Sequence, residues 1–144
     1  MLKEASDRFY GAWWGAFLGD AAAMPTHGFS SERLLHEDYG EYKGFKEPKP
    51  THPESALRTI PAPILPPECD YIGETRRHLW RERDAHPHCG MDAGENTLPV
   101  YLALHLAVSM CERGGFDIDD WMERYRLVMT TPGGHRDTFI PSVH

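Results

Sequence analysis

The apolar positions of the chain fall into three helical stretches, and a long segment rich in proline separates the first from the other two. The first predicted helix runs from about Asp7 to Met24. Ser6 is placed to cap its N-terminus, and Pro25 is expected to end it because proline cannot continue a helix interior. The pattern therefore predicts one long apolar helix at the start of the chain.

Three glycines, Gly11, Gly15 and Gly19, recur at every fourth position of this helix and would form one smooth stripe on its surface. Each glycine costs about 1 kcal/mol relative to alanine in a helix interior. We therefore expect a close neighbour against the stripe, which is either another helix of the core or a bound group. The single acidic residue Asp20, just past the stripe, favours a site.

Two further helices are predicted in the last third of the chain. One follows the cap residue Thr97, runs from Leu98 to Cys111 and is expected to end at Arg113, Gly114 and Gly115, a basic last turn followed by glycine. Its apolar residues spread around most of the circumference, which is typical of a central core helix. The other is expected to start at the cap Asp117 and to run to about Met129. The sequence contains no strand pattern, so the predicted fold class is all-α, a bundle-like orthogonal array of helices.

The segment from about residue 44 to 68 contains seven prolines, which exclude a regular helix or a central strand. We expect a long irregular loop here, either disordered or packed over a site. A short helix around Tyr71 to Arg83 is expected after it.

Length and charge limit the classes of function. The 144 residues suit a single domain over residues 1–144. The net charge of −7 argues against a nucleic-acid partner, which would need a clustered basic face. The apolar run from Phe9 to Met24 is short for a bilayer and contains Asp20, so no membrane partner is expected. Three widely spaced cysteines and a charged N-terminus without a secretory leader fit a cytoplasmic protein with free thiols.

The stretch from Gly15 to His27 resembles the N-terminal signature of the ADP-ribosylglycohydrolase family, of the dinitrogenase-reductase-activating glycohydrolase type. That signature reads approximately Gly-x-x-x-Gly-Asp-Ala-x-Gly-x-Pro-x-Glu. Ala23 stands for one of its glycines, and His27 stands for its glutamate. The matching positions are Gly15, Gly19, Asp20, Ala21 and Pro25.

A second similarity lies immediately before the central helix, where the family carries a Thr-Asp-Asp-Thr motif that supplies ligands to a pair of magnesium ions. This chain has Gly94, Glu95, Asn96 and Thr97 there, so one negative charge and one side-chain oxygen donor are lost. Two interpretations stay open. Glu95 and Asn96 are either magnesium ligands or only an acidic and a polar residue near the start of a helix.

A third similarity covers Gly115 to Asp120 and Gly133 to Asp137, so that the resemblance spans roughly residues 8 to 140 without the proline-rich middle. Family domains are longer, and a second acidic cluster in their C-terminal half completes the metal site. No such cluster follows here, so we expect residues 1–144 to be an incomplete domain with an incomplete magnesium site.

The resemblance implies a hydrolase that cleaves the glycosidic bond between ADP-ribose and a protein side chain or a related acceptor. Its substrate would be an ADP-ribosylated protein or a small molecule of the ADP-ribose type, and magnesium would orient the ribose and the attacking water. In this reading His27 is a general acid or base and Asp20 orients the site. Gly19, Gly94 and Thr97 would contact the substrate.

Two rivals of a different class remain open: an inactive scaffold that binds ADP-ribose or a protein, and a fragment of a longer enzyme without function of its own. The fragment would leave Trp13, Trp14, Phe17 and Leu18 partly exposed and would self-associate. A zinc site at His86, His88 and Cys89 is a weaker alternative, because no second ligand pair follows at zinc-site spacing.

Overall fold

The computed structural model describes residues 2–56 and 77–140. Within these ranges the chain is helical and contains no β-strand, which confirms the predicted all-α class. A single antiparallel bridge joins Thr51 to Ala85. No helix in the described ranges combines the length and the apolar character that crossing a membrane requires. The helices are α1 (Leu2–Ala23), α2 (Glu32–Tyr39), α3 (Leu98–Arg113) and α4 (Ile118–Thr130).

Helix α1 starts earlier than predicted, so Ser6 lies inside the helix rather than at its cap. Pro25 does not end the helical path either, because a 3-10 turn, Met24–Thr26, follows directly and accepts proline in its first positions. The Thr26 hydroxyl donates to the Ala23 carbonyl at 2.7 Å and fixes this turn. The chain leaves the turn in an extended conformation at His27.

The glycine stripe of α1 has no close neighbour among the described residues. A Cβ placed on Gly11, Gly15 or Gly19 would meet no described atom within 4 Å, so the first of the two alternatives, a tight contact with another helix, is wrong for the described residues. Only the C-terminal end of α1 is buried, through Ala21 and the following Met24. The N-terminal part of the helix instead leaves several large apolar side chains exposed, namely Phe9, Tyr10, Trp14 and Leu18.

The main core lies between α3 and α4. Trp80, Tyr101, Trp121 and Tyr125 are partly buried and pack around its buried residues. Full burial of an aliphatic side chain such as leucine or methionine contributes about 1.5–3 kcal/mol. Only one face of α3 is buried, however, because Leu104, Val108 and Met110 are exposed, so the prediction of a helix buried on nearly all sides is wrong. The buried residues are Leu98, Leu102, Val128, Met129 and Ile140.

The ends of α3 and α4 agree with the sequence. The Asp117 side chain accepts hydrogen bonds from the Asp119 and Asp120 backbone amides, which confirms it as the cap of α4. Gly114 takes the left-handed conformation, with φ of 73°, that commonly closes a helix, and α3 ends there as predicted. Thr97 precedes α3, but its side chain makes no cap hydrogen bond to the helix.

The middle of the chain is irregular where the structure describes it, from residue 40 to 56, as predicted. Residues 57–76, which hold the rest of the proline-rich segment and the first half of the helix expected at Tyr71 to Arg83, lie outside the described residues. The described second half of that helix is a single 3-10 turn, Arg77–Leu79. Helix α2 was missed, because only Leu34 of its apolar residues is buried and the apolar pattern is short.

Candidate functional site

The Asp20 carboxylate joins the end of α1 to the start of α3. Its Oδ2 accepts the Thr97 backbone N–H at 2.8 Å, and its Oδ1 accepts the Thr97 hydroxyl at 2.8 Å. Oδ2 also accepts one N–H of the Asn96 side chain at 3.0 Å. A residue 77 positions away therefore does the capping that was expected of Thr97, and its negative charge suits the positive end of the helix dipole.

The Asn96 side chain is held in one orientation. Its amide nitrogen donates to the Phe17 carbonyl at 2.7 Å as well as to Asp20, so both amide hydrogens are used. The carbonyl oxygen Oδ1 is left as an acceptor on a half-buried side chain that lines a cavity. Asn96 Oδ1 is thus an acceptor beside that cavity, without a hydrogen-bond partner among the described residues.

A second carboxylate, Asp137, reaches the start of α3 from the loop after α4. Its Oδ2 accepts the Leu98 backbone N–H at 2.8 Å, and its Oδ1 accepts the Phe139 N–H at 3.0 Å. Sequence analysis placed Asp137 only at the end of a loosely matched stretch and gave it no role. No local signal could have assigned one, because its partners lie up to 49 positions away.

Two imidazole rings continue from Asp137. His88 Nδ1 lies 2.7 Å from Asp137 Oδ1, and His88 Nε2 lies 2.6 Å from His27 Nδ1. The His88 and Asp137 side chains are only 3% and 1% exposed, whereas His27 is half-buried. Burial, and then the neighbouring His88, lower the pKa of His27, although Asp20 and Asp137 oppose this shift.

The His86 side chain is fully buried beside this row and fixes the loop that carries His88. Its Nδ1 accepts the His88 backbone N–H at 3.1 Å, and its Nε2 lies 3.2 Å from the Pro25 carbonyl oxygen. Burial lowers the pKa of His86 to about 3, with a further contribution from His88. A fourth ring, His52, stacks on Phe29 at 3.7 Å between centroids.

Glu95 is occupied by other partners. Its Oε2 accepts the Asp92 backbone N–H at 2.7 Å, and its Oε1 lies 3.1 Å from the Arg136 guanidinium. Arg136 also pairs with the Asp92 carboxylate and donates to the Gly90 carbonyl at 3.0 Å. Both oxygens of Glu95 therefore have partners within the protein, although Glu95 shares the single positive charge of Arg136 with Asp92.

A cavity of about 390 Å³ opens beside the start of α3. Gly94 lines it with φ of +87°, a conformation that disfavours other residues, so glycine here is explained by the backbone turn. A side chain at Gly134, across the cavity, would collide with the Val128 carbonyl. Other lining residues are Glu95, Asn96, Arg136 and Asp137. A second cavity, of about 440 Å³, shares Gly94 and Asn96 and is otherwise bordered by apolar side chains of α1 together with Phe45 and Leu104.

The structure brings most of the sequence-predicted site together. Asp20, Asn96 and Thr97 are in direct contact, and Gly94 and Glu95 lie on the adjoining turn. Gly19 and His27 lie apart from this group. A Cβ added to Gly19 would meet no described atom within 4 Å. His27 contacts His88 and does not line the 390 Å³ cavity.

The donors at α3 do not fit a pair of magnesium ions as they are arranged here. Three hydrogen bonds already use both oxygens of Asp20, and Glu95 is engaged by the Asp92 backbone N–H and by Arg136. In residues 2–56 and 77–140 no three His, Cys, Asp or Glu side chains converge on a point that could hold a metal ion. The same finding leaves the zinc alternative at His86, His88 and Cys89 without support.

Comparison with known proteins gives one result for nearly the whole chain. The family model described as ADP-ribosylglycohydrolase matches residues 1–140. No curated protein and no solved structure gives a significant match. The match supports the family and not the dinitrogenase-reductase-activating type within it. Its range covers both the α1 signature and the α3 start, which Asp20 joins in space, and the chain belongs to the ADP-ribosylglycohydrolase family.

Proposed function

We propose that this chain binds an ADP-ribosyl group beside the start of α3 and hydrolyses the bond between its ribose and the attached acceptor. Family membership supports a hydrolase and ADP-ribosylated substrates in general. The observation that carries the proposal is the joining of Asp20, Asn96 and Thr97 at one helix start, next to a cavity of about 390 Å³. Cavities that bind small ligands are commonly about 300–1,000 Å³ in volume.

The side chains divide the work in this proposal. Asp20 holds the start of α3 and the Asn96 amide in place, so that Asn96 Oδ1 can accept a hydrogen bond from a ribose hydroxyl. His27, which is connected through His88 to the cavity-lining Asp137, acts as general base and acid, because burial and His88 lower its pKa and so favour the neutral imidazole. Glu95 and Arg136 bond to each other at the border of the cavity and make this border charged.

The proposed location is the cytoplasm. Among the described residues, Cys111 is an exposed free thiol, which supports a reducing compartment.

A second candidate is a binding protein without hydrolytic activity. It is favoured by the partners of Glu95, which already bonds to the Asp92 backbone N–H and to Arg136, and by the presence of His27 where the family signature has glutamate. Such a protein would bind ADP-ribose at the same cavity and leave the ribosyl bond intact.

The two candidates are separated by measuring binding and turnover on the same protein. ADP-ribose binding is measured by calorimetry, and release of ADP-ribose from arginine-, serine- and glutamate-linked peptides is measured by chromatography. We expect turnover of at least one linkage, reduced about 100-fold by His27→Gln, because general acid–base catalysis contributes at least that much. Binding without turnover would establish the scaffold instead.

The control is His105→Gln, which removes a half-buried imidazole of α3 that meets the Tyr101 ring edge to face. It should leave both binding and turnover at wild-type values. If His27→Gln turns over substrate as fast as the wild type, the assignment of His27 is refuted. If the wild type shows neither binding nor turnover, both candidates are refuted.

A further inference from the structure

Hydrogen bonding fixes the protons of the row formed by Asp137, His88 and His27. Asp137 accepts two backbone N–H groups, from Leu98 at 2.8 Å and from Phe139 at 3.0 Å. Both of its oxygens therefore act as acceptors, as expected of an ionised carboxylate. The ring atom opposite Asp137, His88 Nδ1 at 2.7 Å, must then be the donor.

This assignment passes along the row to His27. A neutral imidazole that is protonated on Nδ1 has its lone pair on Nε2. His88 Nε2 lies 2.6 Å from His27 Nδ1, so His27 must donate there and carry its proton on Nδ1. The lone pair of His27 is thereby placed on Nε2, for which the described residues provide no hydrogen-bond partner.

The surroundings keep His88 in the tautomer that carries its proton on Nδ1. Its ring is 3% exposed, so solvent cannot easily replace Asp137 as its partner. His86 cannot compete either, because its Nδ1 is already occupied by the His88 backbone N–H and its Nε2 by the Pro25 carbonyl. Each ring nitrogen of His86 and His88 thus has one partner.

We propose that Asp137 and His88 are positioning residues that hold His27 in the Nδ1–H tautomer, with Nε2 free to act as the general base of hydrolysis. This inference rests on the proposed function, since it assigns a proton acceptor to that reaction. It also explains how a histidine can serve where the family signature has glutamate. A neutral base takes the place of an anionic one, and the negative charge lies on Asp137, which is connected to His27 through His88.

The step balances without any further reactant. His27 Nε2 accepts a proton from a water molecule while the water oxygen bonds to C1 of the ribose. The bond between C1 and the acceptor atom breaks, its electron pair stays with the acceptor, and the proton on Nε2 passes to that atom. While His27 is an imidazolium, its Nδ1–H continues to donate to His88 Nε2. His88 keeps its own proton on Nδ1 and donates it in a hydrogen bond to Asp137.

The direct test is the tautomer of His27, read from ¹⁵N side-chain NMR of the 144-residue chain at a pH where the ring is neutral. We expect His27 to carry its proton on Nδ1 in the wild type. In His88→Phe, which keeps a ring but removes both nitrogens, this preference should disappear. In His88→Gln, which keeps a donor and an acceptor, it should be partly restored.

A structural tie alone would behave differently, because Phe would fill the space and leave the tautomer of His27 unchanged. An Nε2–H tautomer in the wild type would overturn the proposal, and so would a preference that survives His88→Phe. If His88→Phe fails to fold, the wild-type spectrum and the Gln variant still decide. His105→Gln is the control and should not change the His27 signals.

Turnover separates this inference from the proposed function. We expect kcat to fall about 100-fold in His88→Phe with KM unchanged, and to recover partly in His88→Gln. An Nδ1–H tautomer without wild-type turnover would refute the catalytic role and leave the row as a structural link. Turnover with an Nε2–H tautomer would uphold hydrolysis and refute the relay.

Discussion

At the scale of single residues, Asn96 explains how a start of α3 that has lost a family carboxylate stays stable. One of its amide hydrogens satisfies Asp20 Oδ2 at 3.0 Å, and the other satisfies the Phe17 carbonyl. A carboxylate at position 96 would lose both donors and would face Asp20 with a like charge. The amide therefore does locally what a cation would do between two carboxylates.

The first prediction follows from this contact. Asn96→Asp should lower the melting temperature in the absence of metal, because two carboxylates then lie about 3 Å apart. Mg²⁺ should restore the variant and have little effect on the wild type, since the new carboxylate adds the anionic oxygen that the ion prefers. Thermal unfolding with and without millimolar Mg²⁺ measures both effects.

Asn96→Ala is the matched control, because it removes the same hydrogen bonds without adding a carboxylate. It should be destabilised and should not respond to Mg²⁺. A wild-type response as large as that of Asn96→Asp would contradict the argument and would show that Glu95 and Asn96 already bind the ion.

His86 leads to the second prediction, a dependence of stability on pH. Its folded pKa is about 3, whereas the unfolded value is 6.5, so below pH 6.5 the unfolded chain binds more protons than the folded one. Stability contributed by neutral His86 is therefore complete above pH 6.5 and is lost as the pH falls towards about 3. A tenfold difference in proton affinity equals about 1.4 kcal/mol, so acidification to about pH 4.5 should cost on the order of 2–3 kcal/mol.

Urea unfolding at a pH above 6.5 and at about pH 4.5 measures this loss of stability. His86→Gln can keep the bonds to His88 N–H and to the Pro25 carbonyl without a titrating group. The variant should lose distinctly less stability than the wild type between the two pH values. Equal losses would show that His86 does not carry the acid sensitivity.

At the scale of elements, α3 is anchored at its N-terminus by carboxylates from two distant segments. Asp20 comes from the end of α1 and Asp137 from the loop after α4, and they accept the successive backbone N–H groups of Thr97 and Leu98. The first turn of a helix leaves such donors without partners inside the helix. Capping by remote residues thus ties α1, α3 and the loop after α4 into one unit.

The third prediction compares a remote cap with a local one. Asp20→Ala leaves the Thr97 N–H, the Thr97 hydroxyl and an Asn96 N–H without their acceptor, and should cost about 2–3 kcal/mol of unfolding free energy. Asp117→Ala removes only the cap of α4 and should cost about 1 kcal/mol. Urea denaturation of both variants measures the difference, and equal losses would rule out a special role for Asp20.

At the scale of the whole molecule, the sequence predicted what local interactions determine. The cap Asp117 and the terminal Gly114 act on neighbouring backbone, so the start of α4 and the end of α3 were placed correctly. Thr97 was assigned a capping role that Asp20 performs from 77 positions away. The contact of His88 with Asp137 spans 49 positions and could not be read from spacing alone.

The candidate site likewise contains residues that a local sequence pattern identified and residues that only long-range packing brings in. The family signature drew attention to Asp20 and His27, and both have defined partners. The signature says nothing of His88 and Asp137, since their importance comes from the packing of two loops against each other. Burial was predicted less well, because apolar residues on a helix indicate a face that can be buried but do not say what covers it.

That limit is clearest on α1, where Phe9, Trp14 and Leu18 are each more than half exposed. Contiguous exposed apolar surface of this kind promotes association. We therefore expect the purified chain to self-associate at micromolar concentration, as sedimentation velocity would detect. Trp14→Lys combined with Leu18→Lys should shift it towards monomer, because the charged side chains stay hydrated and resist burial in a contact.

Ala12→Lys with Ala16→Lys provides the matched control, since it adds the same charge to exposed positions of the same helix without removing a large apolar side chain. Its association should stay close to that of the wild type at moderate ionic strength, where surface charges are screened beyond about 10 Å. Equal loss of association in both double variants would attribute the effect to charge. A wild-type chain that sediments as a compact monomer at all concentrations would show that these side chains do not drive association, and that α1 tolerates its exposed aromatic surface in water.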